Sequence, residues 1–209
     1  MAKPKVILSI GIPSLSTRPK FLSEMLGNLD RQIGVRQDVE LFVLCDNASI
    51  SIGRKMNLLM EMMTGEYVCF LGDDDRVTDD FVDTLIDAIK EHGTDCVSYN
   101  MEYIKDGRHV STIREGAGFR RERGNRMCLE VEGLTAVWTG PASCKMPMRR
   151  ELVAPYKYND ISFGEDAQFI AWVNGRLTTD HHIERKLYTY NYDTRSPYGK
   201  RFQKMRGRA

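Results

Sequence analysis

Three consecutive carboxylates, Asp73-Asp74-Asp75, close the apolar run YVCFLG at residues 67–72. Like charges this close raise one another's pKa unless a cation neutralises them. Hard oxygen donors at a strand end suit Mg²⁺ or Mn²⁺ bridging the phosphates of a nucleotide. The plainer alternative is a solvated acidic turn ahead of a helix. Two further carboxylate positions carry chemical potential. Asp46-Asn47 ends the apolar run 39–45, where Asp46 can accept from a base N–H or a ribose hydroxyl, or form a simple Asx turn. Glu165-Asp166 follows Gly164 at the start of a helical pattern. There a carboxylate can serve as a general base or merely complement the helix dipole. His181 and His182 are adjacent, so on a strand they point to opposite faces and at most one reaches a given site.

The elements that must position these groups are legible from periodicity. Residues 5–12, KVILSIGI, form a short β-branched run closed by Pro13, which reads as a buried strand. A helix over 19–32 starts at Pro19 and places Phe21, Leu22, Met25, Leu26 and Leu29 on one face. Residues 39–45 and 67–72 read as two more buried strands. Between them a helix over 53–64 turns Met56, Leu59, Met60 and Met63 inward and stops at Gly65. A third helix over 79–91 follows, with Thr78 as its cap. Residues 95–104 and 183–192 read as further strands, 142–153 as a strand leading into Arg149-Arg150-Glu151, and 164–174 as a helix. Strands alternating with helices of about a dozen residues specify an α/β architecture around a mostly parallel sheet. Its ligands bind at the C-terminal strand ends, where Ser14 to Arg18, Asp46 to Ser49 and Asp73 to Asp75 all fall. There is no G-x-G-x-x-G and no P-loop, which excludes the dinucleotide and Walker modes of holding phosphates.

Composition narrows the class. The chain has 209 residues with 42% hydrophobic and 28% charged, ordinary for a globular domain that folds without disulfide or metal staples. Its net charge of +1 excludes a globally basic nucleic-acid binder. Charge is nevertheless local. Residues 105–126 carry seven Lys or Arg against three Asp or Glu, and 194–209 carry six basic residues and no acid. The first segment reads as a mobile or ligand-ordered loop with a hairpin. The five cysteines are widely spaced without C-x-x-C, and Cys45 and Cys69 read as buried thiols in a reducing compartment. No apolar stretch approaches the roughly 20 residues of a membrane span, and a cytoplasmic protein without a transmembrane segment is expected.

In combination, SIGIPSLSTRPKFLSEML, LFVLCDNAS, GRKMNLLMEMMTGEYVCFLGDDD and FGEDAQF resemble a family 2 glycosyltransferase of the GT-A fold. CKMPMRREL and LYTYNYDTRS are similar to its later segments. The resemblance implies inverting transfer from a nucleotide-diphospho-sugar, most often a UDP-sugar, with Mn²⁺ or Mg²⁺. By that likeness Pro13, Ser14, Leu15 and Arg18 line the nucleoside pocket, Asp46 and Asn47 meet the base, and Arg54 orders the pocket. Asp73 and Asp75 are the two acids of a D-x-D motif with Asp74 between them. Asp75 would bind the metal directly, with Asp73 at the ribose or acting through water. Asp193, His181 and His182 are alternatives for a third ligand. Asp166 is the implied base, with Glu165 beside it. Departures are the absence of an aromatic residue after Pro13, Gly72 in place of an acid, and Tyr190-Asn191-Tyr192-Asp193 in the late motif.

The implied organisation is one catalytic domain over 1–193, with a donor half at 1–104, an acceptor half at 105–193 and a basic tail at 194–209. The two basic segments point to an anionic acceptor, such as a modified base on DNA or another polyanion. Two other classes share some of these features. A nucleotidyltransferase would need a Gly-rich loop after the first strand, and none is present. A non-catalytic polyanion binder would place its acids elsewhere.

Overall fold

The computed structural model describes residues 4–119, 121–122, 126–132, 135–196 and 200, with side chains outside 120–136. The sequence from Leu8 to Val77 folds as β1 (Leu8–Leu15), α1 (Pro19–Ile33), β2 (Val39–Asp46), α2 (Ile52–Met62), β3 (Tyr67–Phe70) and β4 (Arg76–Val77). Then come α3 (Phe81–His92), β5 (Cys96–Lys105), β6 (Arg108–Glu115), β7 (Arg121–Glu122), β8 (Arg126–Glu132) and β9 (Thr135–Gly140). The chain closes with β10 (Met148–Arg149), α4 (Arg150–Val153), α5 (Glu165–Val173) and β11 (Asp180–Tyr192).

The sheet runs β2-β1-β3-β10-β5-β6-β9-β8-β7. β1 pairs in parallel with both β2 and β3, and β11 lies parallel to β5 while also pairing antiparallel with β4. The α/β architecture is therefore as expected, with β10 inserted antiparallel between β3 and β5. The core is built from the apolar runs: Leu8, Ile10 and Ile12 of β1, all four residues of β3, and Met56, Leu59 and Met60 of α2 are buried. β1 runs through Pro13 rather than stopping there. The carbonyls of Ile7 and Gly11 accept from β3-side amides (Tyr67 and Leu71). Pro13 faces the same flank, where the next rung would run from its N–H to the Leu71 carbonyl, so the β1–β3 ladder ends where that donor is missing.

Several local readings are corrected. β2 is the sheet edge, and its outer residues are exposed, so Cys45 is an exposed thiol while Cys69 is buried. Phe21 leaves the core face of α1 and is 49% exposed. α3 begins after Asp80, not Thr78, and no side-chain cap bond is made there. The strand expected within 142–153 is only the two residues of β10, followed directly by α4. The loop expected over 105–126 is instead strand over most of its described residues, with β6, β7 and the first residue of β8, and its hairpin turn joins β6 to the preceding β5. Asp106 and Gly107 both have positive φ, 50° and 79°, as a two-residue primed turn requires.

α2 is stitched to the segment before α5. Asn57 donates to the Tyr158 carbonyl and accepts from its amide, both at 2.9 Å, and Gly53 N–H donates to the Ile161 carbonyl at 3.0 Å. A Cβ on Gly53 would lie 1.9 Å from the Asn159 carbonyl oxygen. Helix propensity alone favours Ala over Gly by about 1 kcal/mol. The backbone clash reverses that sign, so Gly53→Ala is expected to destabilise by about 1–3 kcal/mol, read as a lowered thermal midpoint.

Candidate active site

The acid turn lies between β3 and β4, and each carboxylate is held by a different part of the chain. Asp73 is buried. It accepts from Ser14 Oγ at 2.7 Å and from Arg18 Nη1 at 2.6 Å. Arg18 also approaches Asp74 at 3.2 Å. Asp75 accepts from the Tyr188 hydroxyl and, at 2.7 Å, from the Asn191 amide, while Asn191 Nδ2 donates to the Asp74 carbonyl at 3.0 Å. Gly72 completes the turn. A Cβ there would meet Asp75 Oδ2 at 2.7 Å, so the carboxylate folds back into space that only glycine leaves.

Burial, and then the neighbouring Asp74, push Asp75 up to about 7, against the pull of Lys145, Tyr188 and Asn191. Burial also raises Asp74, with Arg18 opposing and Asp73 adding to the rise. Burial works against the charge of Arg18, but Asp74 and Asp73 hold it above its ordinary value. Burial is thus the first cause of both upward shifts and the neighbouring carboxylates add to it, so a cation bound at the turn would favour the charged forms. Each oxygen of Asp73 and Asp75 accepts one protein donor and keeps a second lone pair. Among the described residues no three His, Cys, Asp or Glu side chains converge as a ligand set. A divalent ion bound through one or two carboxylates, with phosphate oxygens and water completing its shell, suits this donor set.

A cavity of about 940 Å³ opens over the turn. One wall comes from β1, the β2–α2 connection and α2, with Pro13, Leu15, Ala48, Ile50, Ile52 and Lys55; the opposite wall includes Phe21, Arg76, Glu102, Ile104, Asn191 and Asp193. Ser14, Arg18 and all three acids of the turn line it as well. Of the expected site residues, Pro13, Ser14, Leu15, Arg18, Asp73, Asp74, Asp75 and Asp193 are thus brought together.

Asp46, Asn47 and Arg54 lie outside the lining. Asp46 instead accepts from Ile50 N–H at 2.7 Å and Ser49 Oγ at 2.9 Å, the Asx turn that was the plainer reading, and pairs with Lys55. Lys55 is 1% exposed and donates to the Ser14 carbonyl at 2.6 Å. It ties β1 and β2 together beneath the cavity. Arg54 is exposed, and its amide donates to the helix cap Ser51. His182 has both ring nitrogens engaged, with Ser98 Oγ at 2.8 Å and Asn100 Oδ1 at 2.9 Å, and His181 stacks on His92. Neither lines the cavity.

Glu165 and Asp166 open α5 after Gly164, whose φ of 77° starts the helix from a left-handed residue. Burial, and then Asp166, raise Glu165, and its Oε2 is buried without a hydrogen-bond partner. Burial likewise raises Glu115, which accepts from Ser143 Oγ. Lys145 pulls on Asp75, Glu115 and Glu165 alike, and its Nζ sits 5.2 Å above the Tyr190 ring. Through this one cation the acid turn and the α5 carboxylates share an electrostatic environment, although Glu165 and Asp166 do not line the cavity itself.

The basic segments do not supply a cationic wall among the described residues. From 105–126 the cavity receives Asp106 and Gly107, and from 194–196 Arg195 and Ser196. Residues 197–199 and 201–209 of the basic tail lie outside the described residues. The lining holds Glu24, Glu102, Asp106 and Asp193 besides the three acids of the turn, against Arg18, Lys55, Arg76 and Arg195.

The parallel β2-β1-β3 unit, with carboxylates on the turn after β3 and a cavity over that turn, has the fold of the GT-A glycosyltransferases. The family described as Glycosyl transferase family 2 matches residues 15–153, and the chain belongs to that family. Among solved structures it resembles S. aureus TarS 1-349 in complex with UDP-GlcNAc, with a TM-score of 0.64, 16% identity and coverage of 93% of this chain and 61% of that one. The UDP complex of the same TarS fragment gives a TM-score of 0.59 at 16% identity, covering 90% of this chain and 61% of that one. The chain therefore spans about three fifths of the TarS fragment. No curated protein matches the sequence.

Sequence reasoning did not identify Lys55, Lys145, Tyr188 or Asn191. For Lys55 a signal existed, since it stands four residues before Leu59 on the buried face of α2, and a lysine there must be paired. Lys55, first among other donors, holds Asp46 far below the usual carboxylate range. A depressed carboxylate contributes stability that is present above its unfolded pKa and lost as pH falls toward the folded value. Lys55→Met is therefore expected to lower stability at pH 7 and to flatten its further loss below about pH 4, measured by urea unfolding at both ends of that range.

Proposed function

We propose that this protein transfers a sugar from a UDP-sugar to an acceptor hydroxyl with inversion, assisted by Mn²⁺ or Mg²⁺. The observation that carries this reading is the acid turn Asp73–Asp75, braced by Ser14 and Arg18, at the floor of a cavity with an apolar slot on its β1–β2 side. Pro13, Leu15, Ile50 and Ile52 form a slot suited to a nucleobase, with Lys55 shaping it from below. UDP-GlcNAc, the ligand of one TarS complex, is the first donor to test.

In this reading the donor site comes from residues 1–104, and residues 105–193 supply the side from which the acceptor hydroxyl reacts, through Glu165 and Asp166. Asp75, with Asp73 beside it, would hold the metal, which neutralises the charge that builds on a departing diphosphate. Asp166 takes the proton of the acceptor hydroxyl, and Glu165, with its unpartnered oxygen, orients that hydroxyl. The acceptor oxygen bonds to the anomeric carbon as the bond to the phosphate oxygen breaks, and UDP leaves with the electron pair. Inversion requires a single base opposite the leaving group. Supplying that base from α5, a different element from the acid turn, meets the requirement. The acid-rich cavity favours a neutral hydroxyl acceptor over the polyanion that the two basic segments suggest.

The reading is tested by calorimetric titration of UDP, GDP, TDP and CDP with and without Mn²⁺. UDP is expected to bind about tenfold more tightly with the ion, and Asp75→Asn to abolish that gain. Asp166→Asn is expected to lower turnover of UDP-GlcNAc by about 10²–10⁴ while leaving UDP affinity unchanged. Nucleotide binding that ignores Mn²⁺, or an Asp166→Asn enzyme of full activity, would overturn the corresponding assignment.

A further inference from the structure

The two walls of the cavity differ in chemistry: the first is mostly apolar and the second mostly polar and charged. β3 leads through the acid turn into β4, so the turn separates the β1–β2 slot from the wall beyond it. There α1 packs beside β4, and Glu24 faces Arg76 at 3.7 Å. The strand pairings put Arg76, Thr189 and Glu102 in one row across β4, β11 and β5. Phe21, one helical turn before Glu24, lines this wall with its ring 49% exposed.

Single exposed apolar residues on an outer surface need no explanation. Phe21 is different because it belongs to the apolar stripe of α1 and yet opens into a cavity. In the same lining the Glu24 carboxylate, three residues along α1, faces the Arg76 guanidinium, with side chains 48% and 73% exposed. An exposed pair at that separation contributes little, so both groups can exchange their mutual contact for a ligand's hydroxyls. An aromatic face bordered by planar, bidentate polar groups matches a pyranose ring. The C–H face of the sugar covers the ring, and its hydroxyls donate to Glu24 and accept from Arg76.

We propose that the α1–β4 wall is a subsite for a neutral saccharide unit of the acceptor, with Phe21 as its platform and Glu24 and Arg76 reading its hydroxyls. This rests on the glycosyl-transfer reading above and gives its acceptor a chemical class. The acid-rich lining disfavours an anionic saccharide. Glu165 and Asp166 stand outside the lining, so the subsite grips a part of the acceptor away from the reacting hydroxyl and spends that binding on orientation.

Saturation-transfer NMR on the full chain tests it, using the methyl glycosides of glucose, galactose and N-acetylglucosamine together with cellobiose and chitobiose. Each is run with and without UDP and Mn²⁺, on wild type, Phe21→Ala and Phe21→Tyr. At least one of these neutral sugars is expected to bind saturably, about tenfold more weakly in Phe21→Ala and near wild type in Phe21→Tyr. UDP affinity is expected to stay within about twofold in Phe21→Ala. Loss of UDP affinity in that variant would put the ring at the nucleobase and overturn the proposal. So would the absence of sugar binding to wild type, equal binding to Phe21→Ala, or Phe21-dependent binding of a heparin oligosaccharide instead. A wild type that binds no UDP would sink the donor reading alone, because Phe21-dependent glycoside binding without nucleotide still decides this one.

Discussion

Three carboxylates on consecutive residues are the constraint around which the molecule is arranged. Left to themselves on a partly buried turn they would repel one another or take up protons. The chain meets this by bringing donors from distant segments: Ser14 from β1, Arg18 from the start of α1, Tyr188 and Asn191 from β11. All but Arg18 come from strands whose place is set by sheet pairing. β1 alongside β3 delivers Ser14, and β11 between β4 and β5 delivers Tyr188 and Asn191. Geometry at the turn is thus a direct product of strand order.

A second buried charge supports the first from below. Lys55 lies in the apolar face of α2, which would be costly for a lone ammonium, but it meets the Asp46 carboxylate and the Ser14 carbonyl. Ser14 in turn donates to Asp73. A chain of polar contacts therefore runs from the edge strand β2, through α2, to the acid turn. The hydrophobic core holds the layers together, and this polar chain sets the register between the cavity's nucleotide-side wall and its floor.

Much of this was readable in advance, for identifiable reasons. The α/β alternation follows from apolar runs with two clear periods. The acid turn and the α5 carboxylates announce themselves because charged residues end apolar segments. What escaped notice depends on tertiary contact. Asp46 looks like a ligand-binding carboxylate at a strand end, and only the arrival of Lys55 from the next helix shows that it is already engaged. Phe21 fits a helical core stripe, yet the stripe is wider than the face α1 buries, and the ring falls on the cavity side. His182 is accessible to sequence reasoning only as a lone histidine, because Ser98 and Asn100, which occupy its two nitrogens, are more than eighty residues away.

The partners of Asp75 carry a consequence for how the molecule comes into being. Tyr188 and Asn191 stand 113 and 116 residues further along the chain. At ordinary synthesis rates on the order of ten seconds pass between their appearances. In that interval β1, β2 and β3 can pair, but β4 has no strand to pair with until β11 arrives, and one carboxylate of the acid turn has neither of these donors. Long-range strand pairing of this kind is slow because loop closure precedes any reward. Among the described strands, the one made last is thus also the one that completes the turn, and Asp75 gains these two donors only when β11 docks.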